Sequence, residues 1–244
     1  MDAHNPNDFS LPSPELLARQ AEWLQPARSR LFRRIQIAHR QSTLDLGCGW
    51  HTVTPELVRR SNGNVVAADC SRHVFAKPAE EEAAFQRVCC NAAHLPFQSE
   101  TFDLVFCQFA LLWFGTEVAI NEIRRVLTPG GVLIAIEPDY GGLIEYPNDI
   151  ATRELWESAL HRAGADPHIG RRLPAILAEN GFEVRVNLLD QLTPPSPLRF
   201  DLLRGLPLTD AETSQLDRII TADATCPPQQ RVVHLPIFLI TASI

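Results

Sequence analysis

The sequence lacks the spacings that build metal sites. Six cysteines stand at 48, 70, 89, 90, 107 and 226 with no Cys-x-x-Cys pair, and eight histidines never fall at His-x-x-x-His spacing. A structural zinc is therefore not expected. Adjacent Cys89 and Cys90 would point to opposite faces of a strand and could not chelate one ion. Four of the cysteines lie in or beside apolar stretches, which reads as buried reduced thiols rather than disulfides. No apolar run approaches ~20 residues, so no membrane span is expected. The first residues are polar (Asp2, His4, Asn5, Asn7, Asp8) and carry no signal-type apolar core, so a cytoplasmic location is expected. A basic excess is missing too: the net charge of −7 argues against a general nucleic-acid binder. No internal repeat is visible. With 45% hydrophobic residues over 244 positions, a full core is available to one generous domain, or to one domain with an inserted cap.

What is present is organised around Ser42-Thr-Leu-Asp-Leu-Gly-Cys-Gly-Trp-His-Thr52. It reads as a buried strand at 43–46, a tight turn on Gly47 and Gly49, and a helix opening near Thr54-Pro55-Glu56. Thr54 is placed as N-cap and Pro55 as the first helical residue. Glycines in such a turn let a ligand approach the backbone. About twenty residues on, Asn64-Val-Val-Ala-Ala-Asp69 is a second apolar strand ending in a carboxylate. In the dinucleotide-binding arrangement that spacing sets the carboxylate on ribose hydroxyls, so an adenosyl ligand is expected.

The remaining pattern predicts helices at 14–24, capped by Ser13, and at 27–39, separated by a break at Pro26. A short helix follows Ser71, and strands are expected at 85–89 and 101–108. A helix at 118–127 should stop at Pro129-Gly130-Gly131, before a uniformly apolar and so central strand at 131–137. Helices at 150–163 and 170–180 follow, the second ended by Gly181. A strand at 182–189, a linker at 193–197, a helix at 209–222 and a strand at 236–244 complete the chain. Residues 1–12 are expected to fray and 79–84 to be solvated. The β-α-β rhythm implies an α/β fold: a doubly wound, seven-stranded, mostly parallel, Rossmann-like sheet with N-terminal helices and a C-terminal helical insertion. The expected division is 1–40 for helices covering the site, 41–137 for the cofactor-binding core, and 138–244 for the rest of the sheet with substrate-side insertions.

Four motifs, in order, carry a resemblance: Leu44-Asp-Leu-Gly-Cys-Gly49, Val66-Ala-Ala-Asp69, Asn91-Ala-Ala-His-Leu-Pro-Phe97 with Thr101-Phe-Asp-Leu-Val105, and Arg125-Val-Leu-Thr-Pro-Gly-Gly-Val-Leu133. Together they resemble the class I S-adenosylmethionine-dependent methyltransferases of the small-molecule type, over about residues 27–137. The resemblance implies S-adenosylmethionine as cofactor. Asp45, Gly47, Cys48 and Gly49 would line its amino-acid end, and Asp69 would hold both ribose hydroxyls. Cys70 would pack on the adenine, while Asn91 would bond the adenine amino group with the Ala92 amide nearby. Gln108 would face the methionyl carboxylate or the acceptor. Read without the resemblance, Asp45 and Asp69 could instead be caps or turn formers, and Cys70 plain packing.

Two positions depart from the family pattern. His51 stands where a third glycine is usual, and could turn outward or pack, crowd the pocket, or act as a base. Asn91 replaces an aspartate and keeps an oxygen acceptor. Trp50 could shield the site or belong to the core. Methyl transfer from a sulfonium needs an oriented acceptor and exclusion of water more than it needs a catalytic base, and no residue announces itself as one. Glu137, Asp139 and Tyr140 follow the fifth strand, where an acceptor would sit, although Asp139-Tyr140 could simply shape a turn. Trp113 and Phe114 could wall the pocket or fill the core. Arg171 and Arg172 could bind an acidic group or open a solvated helix. The expected partners are a small-molecule acceptor and, possible on this sequence, a second copy of the chain. The alternative is a methyltransferase-fold protein that binds an adenosyl cofactor or a partner without methyl transfer. A nicotinamide oxidoreductase would want a glycine at Thr52 and leaves Pro129-Gly130-Gly131 unexplained.

Overall fold

The computed structural model describes residues 11–76, 85–190 and 197–244. Most of the expected frayed start, the stretch 79–84 and nearly all of the expected linker lie outside them. The chain runs α1 (Pro14–Arg34), β1 (Ser42–Leu46), α2 (Thr54–Arg60), β2 (Asn64–Asp69), β3 (Gln86–Cys89), β4 (Phe102–Gln108), α3 (Thr116–Val126) and β5 (Leu127–Pro138). It continues through β6 (Ile144–Tyr146), α4 (Arg153–Arg162), α5 (Ile169–Glu179), β7 (Glu183–Leu188), α6 (Pro197–Arg204), α7 (Asp210–Thr225), β8 (Val232–His234) and β9 (Ile237–Ser243).

Seven strands form one sheet in the order β3-β2-β1-β4-β5-β9-β7, in which only β9 runs antiparallel to its neighbours. The expected α/β fold is thus the fold observed. Alternate residues of β5 explain its apolar run. Val132, Ile134 and Ile136 face Leu24, Leu31, Phe32 and Leu57 of α1 and α2, while Leu133 and Ala135 face Ile120, Ile123, Leu173 and Leu177 of α3 and α5. With both faces covered, each of the Val, Leu, Ile and Phe side chains among them contributes roughly 1.5–3 kcal/mol by leaving water.

Several expectations are corrected. Pro26 does not end the first helix: α1 runs through it as one helix of 21 residues. The apolar stripe continues across the proline through Leu24, Ala27, Leu31 and Phe32, and that burial outweighs the lost backbone bond. Pro129-Gly130-Gly131 does not stop a helix either. The chain passes from α3 directly into β5, and Leu127 already pairs with Phe102. The register then shifts before Val132 meets Leu104, so the proline and glycines lie in a bulge of the strand. Thr54 is the first residue of α2 rather than its cap, because its hydroxyl donates to the buried Asp45 carboxylate. Only Cys48 and Cys107 are buried; Cys70 and Cys89 are exposed. The expected caps at Ser13 and Thr209 are present, the latter as a reciprocal capping box with Glu212. Gly181 closes α5 at φ +78 with Phe182 N donating to Leu177 O.

The antiparallel pair β6–β8, joined across most of the C-terminal half, and helix α6 were not legible in the sequence. They are stapled to α4 and α7 by side chains. Arg199 donates to Glu145 (3.0 Å) and Asp223 (2.9 Å), Arg231 donates to Asp223 (3.0 Å), and Glu145 also takes the Thr152 and Arg153 amides. No described helix is long and apolar enough to cross a membrane.

Candidate functional site

Parallel strands of an open sheet present their carboxyl ends to a common crevice. Here β1, β2, β4 and β5 bring Leu46, Asp69, Gln108 and Pro138 to that edge. The turn after β1 holds Gly47 at φ +76 and Gly49 at φ +50, and the Gly47 and Cys48 amides donate to Ala68 O (2.8 and 3.1 Å). A Cβ on Gly47 would lie 2.5 Å from that of Ala110, so this glycine admits the chain after β4 against the turn. Close approach here is between the turn and the Ala110 methyl group, with the Phe114 ring next nearest, a reason the sequence alone did not reveal.

Asp69 is buried at the tip of β2. Its Oδ2 accepts from the Gly49 amide (2.9 Å) and its Oδ1 from the Ser71 amide (2.9 Å). Each oxygen keeps a further lone pair, so the carboxylate can still accept two hydroxyls. Asp45 lies under the turn, where burial pushes its carboxyl up to about 7 against the pull of the Thr54 hydroxyl and the Arg28 guanidinium. Cys48 is buried beside them and burial pushes its thiol up. Exposed Cys70 follows Asp69 at the rim. Asn91 is also exposed, with Oδ1 accepting from the Ala93 amide (2.8 Å), and Ala92 is buried behind it. The structure thus gathers Asp45, Gly47, Cys48, Gly49 and Asp69 tightly, with Cys70, Asn91 and Ala92 along the next loop.

His51 is held by two aromatic rings. At φ +60 its ring packs against Phe75 and Phe85 at 5.4 and 5.3 Å between ring centres, with Nε2 buried and without a partner among the described residues. Burial, and then the charge of Arg87, hold its imidazole down at about 4. Trp50 donates to Pro12 O (2.9 Å), which ties the start of α1 over the turn; Leu17 of α1 sits against Gly49.

Sequence reasoning missed the groups that fasten this half from below. Arg28, 3% exposed, donates through Nε and Nη2 to Glu56 (2.8 and 2.6 Å) and through Nη1 to Ala21 O (3.0 Å) and Gln108 Oε1 (2.9 Å). Gln108 therefore meets α1 as well as the crevice. Glu56 also accepts from Arg60 (2.6 Å). The available signal was a charged residue at the i+4 position of the apolar stripe begun by Leu24.

On the other side of the crevice, Glu137 is fully buried near the end of β5. Its Oε1 accepts from the Ala110 and Leu111 amides (3.0 and 2.9 Å), while Oε2 is buried without a partner among the described residues. Burial pushes its carboxyl up to about 8, partly offset by those amides. This geometry makes Glu137 the support of the chain after β4, not an open acceptor contact. Trp113 and Phe114 lie there, partly buried against the core, with Phe114 beside Gly47. Tyr140 is buried and stacks on Trp156 (4.5 Å). Asp139 is buried and accepts from Arg171 Nε (2.7 Å), and Arg172 pairs with Asp166.

The comparisons agree with this geometry. Residues 44–135 match the family described as "Methyltransferase domain". A malonyl-[acyl-carrier protein] O-methyltransferase of Alcanivorax borkumensis is 32% identical over 60% of this chain and 47% of its own length. The mitochondrial arginine-hydroxylase NDUFAF5 of Mus musculus is 27% identical over 67% of this chain and 48% of its own. The chain thus spans about half the length of these curated relatives. Among solved structures, a geranyl diphosphate methyltransferase in complex with S-adenosylmethionine shares the fold, with TM-score 0.59 and 14% identity over 94% of this chain and 89% of the other. Sequence motifs, sheet order and the matched family model together show a methyltransferase domain over residues 44–135 of the chain.

Proposed function

We propose that the protein binds S-adenosylmethionine and transfers its methyl group to a small-molecule acceptor. The observation that carries the reading is Asp69. Each of its oxygens is fixed by one backbone amide and retains acceptor capacity, which suits the paired hydroxyls of a ribose. When bound, the cofactor supplies an electrophilic methyl on a sulfonium. Asp45 and the turn of Gly47, Cys48 and Gly49 would hold its amino-acid end, Asp69 its ribose, and Cys70, Asn91 and Ala92 its adenine. Leu17 and Trp50 would help α1 exclude water from the turn. The acceptor would enter over β4 and β5, between Gln108 and Tyr140.

Thermal unfolding with S-adenosylmethionine, S-adenosylhomocysteine and NAD in parallel tests the reading. Ligand at about 100 times its dissociation constant adds about 2.7 kcal/mol, a midpoint rise on the order of 5–10 °C. A rise with both adenosyl ligands and none with NAD is expected; no rise with either overturns the proposal. The relative named an arginine-hydroxylase supports a second reading, in which the same core serves other chemistry. Release of S-adenosylhomocysteine in an acceptor screen separates the two.

A further inference from the structure

A second polar centre lies past β5, outside the roles assigned above. Asp139 presents Oδ2 to Arg171, but its Oδ1 is buried with no hydrogen-bond partner among the described residues, on a side chain only 6% exposed. His168, just before α5, faces that oxygen with Nδ1 at 3.7 Å, and Nδ1 is likewise buried and unpartnered. The ring is one-third exposed, and its Nε2 lies 3.5 Å from Glu157 Oε1.

The recess is built for the ring. A Cβ on Gly141 would come within 2.3 Å of His168 Cε1, so no larger residue fits at 141 with the imidazole in place. The backbone is pinned on both sides, by Tyr140 N donating to Pro167 O (2.8 Å) and His168 N donating to Asp166 Oδ1 (2.9 Å). The charged and titratable groups around the ring are Asp139 from the end of β5, Glu157 and His161 from α4, Arg171 from α5, and Asp166, which Arg172 engages.

We propose that His168 is the general base for a hydroxyl-bearing acceptor of the phenol or enol class, with Asp139 as its positioning residue. The proposal rests on the methyltransferase reading. The acceptor O–H bond breaks, the proton passes to Nε2, and the electron pair stays on oxygen. That pair then forms the bond to the methyl carbon while the C–S pair returns to sulfur. The resulting imidazolium lies between the Asp139 and Glu157 carboxylates. A hydroxyl gains most from such a base, because a neutral amine can attack before it loses a proton.

The test uses the full chain loaded with S-adenosylhomocysteine and 4-nitrophenol as probe, at a pH where the free probe is mostly protonated. Wild-type protein is expected to convert bound probe to its yellow phenolate, saturably. His168→Gln should lower the phenolate fraction by at least about tenfold, below the roughly 100- to 10,000-fold that a positioned base contributes to a rate. Its affinity for S-adenosylhomocysteine by calorimetry should stay unchanged. Asp139→Asn should lower the phenolate fraction with the probe still bound, and Glu157→Gln, at a partly exposed site, should lower it less. Binding of S-adenosylhomocysteine with no phenolate on the wild type overturns the base and leaves the methyltransferase reading standing. An undiminished phenolate in His168→Gln overturns it equally, as does one undiminished in Glu157→Gln should His168→Gln not fold. Failure of the wild type to bind S-adenosylhomocysteine removes both.

Discussion

Two carboxylates at one sheet edge are held in opposite ways. Asp69 has both oxygens fixed by backbone amides from turns close to it in the fold. Asp139 has one oxygen on an arginine side chain and the other unpartnered, and Glu137 beside it is half satisfied too. Backbone donors cannot change with a side-chain substitution, so the half over β1 and β2 is rigid and suits a ligand that never varies. The half over β5 is assembled from side chains on α4 and α5 and carries unspent hydrogen-bonding capacity. That suits a partner that differs among relatives.

The strongest test of the rigid half is Arg28→Met. It leaves Glu56, Gln108 and the Ala21 carbonyl without their buried donor and should cost about 3–5 kcal/mol in urea denaturation. A loss under about 1 kcal/mol would mean that α1 is not what fastens this side. Paired glycine variants sharpen the contrast further. Gly47→Ala combines positive φ with a collision at Ala110 and should cost roughly 2–4 kcal/mol and weaken S-adenosylhomocysteine binding. Gly141→Ala should cost roughly 1–3 kcal/mol and displace His168, with cofactor affinity preserved. Equal effects on cofactor affinity would erase the distinction between the halves.

Glu137 predicts a pH dependence. Its folded pKa is raised from 4.5 to about 8, so the folded state holds the proton that the unfolded chain has released. Stability should therefore be greatest below the unfolded value and fall as pH rises through the folded one. Glu137→Gln should flatten that fall, an effect on the order of 1–3 kcal/mol, read from denaturation midpoints across the same window. Asp45, raised to about 7, should release a fraction of a proton when a cationic ligand group arrives beside it. Calorimetry of S-adenosylmethionine binding in two buffers of different ionisation enthalpy measures this; Asp45→Asn should abolish the difference. The smallest expected effect is that of Asn91→Asp. Asp keeps the acceptor for the Ala93 amide at an exposed site, so stability should move by less than about 0.5 kcal/mol.

The legible parts of the sequence were those written in short-range chemistry. Strand and glycine turn are contiguous in Leu44–Gly49, strand and terminal carboxylate in Val66–Asp69, and the edge they form could be anticipated. Pro26 misled because local propensity was read without the burial that holds α1 together on both sides of it. Pro129-Gly130-Gly131 misled because a bulge and a helix stop use the same residues. His168 and Arg28 were hidden for another reason. Their partners lie at Asp139, Glu157, Glu56 and Gln108, and no periodicity links residues brought together by separate elements.

The antiparallel β9 has a consequence for how the sheet comes into being. β7 is made more than forty residues before β9, yet it touches the sheet only through β9. On an emerging chain, β5 must therefore hold an unpaired hydrogen-bonding edge through the synthesis of α4, α5, β7, α6 and α7. Until residues Ile237–Ser243 slot between them, β5 and β7 are two loose edges of one unfinished sheet. The interval in which this protein is most open to pairing with a neighbour is thus set by the position of a single strand.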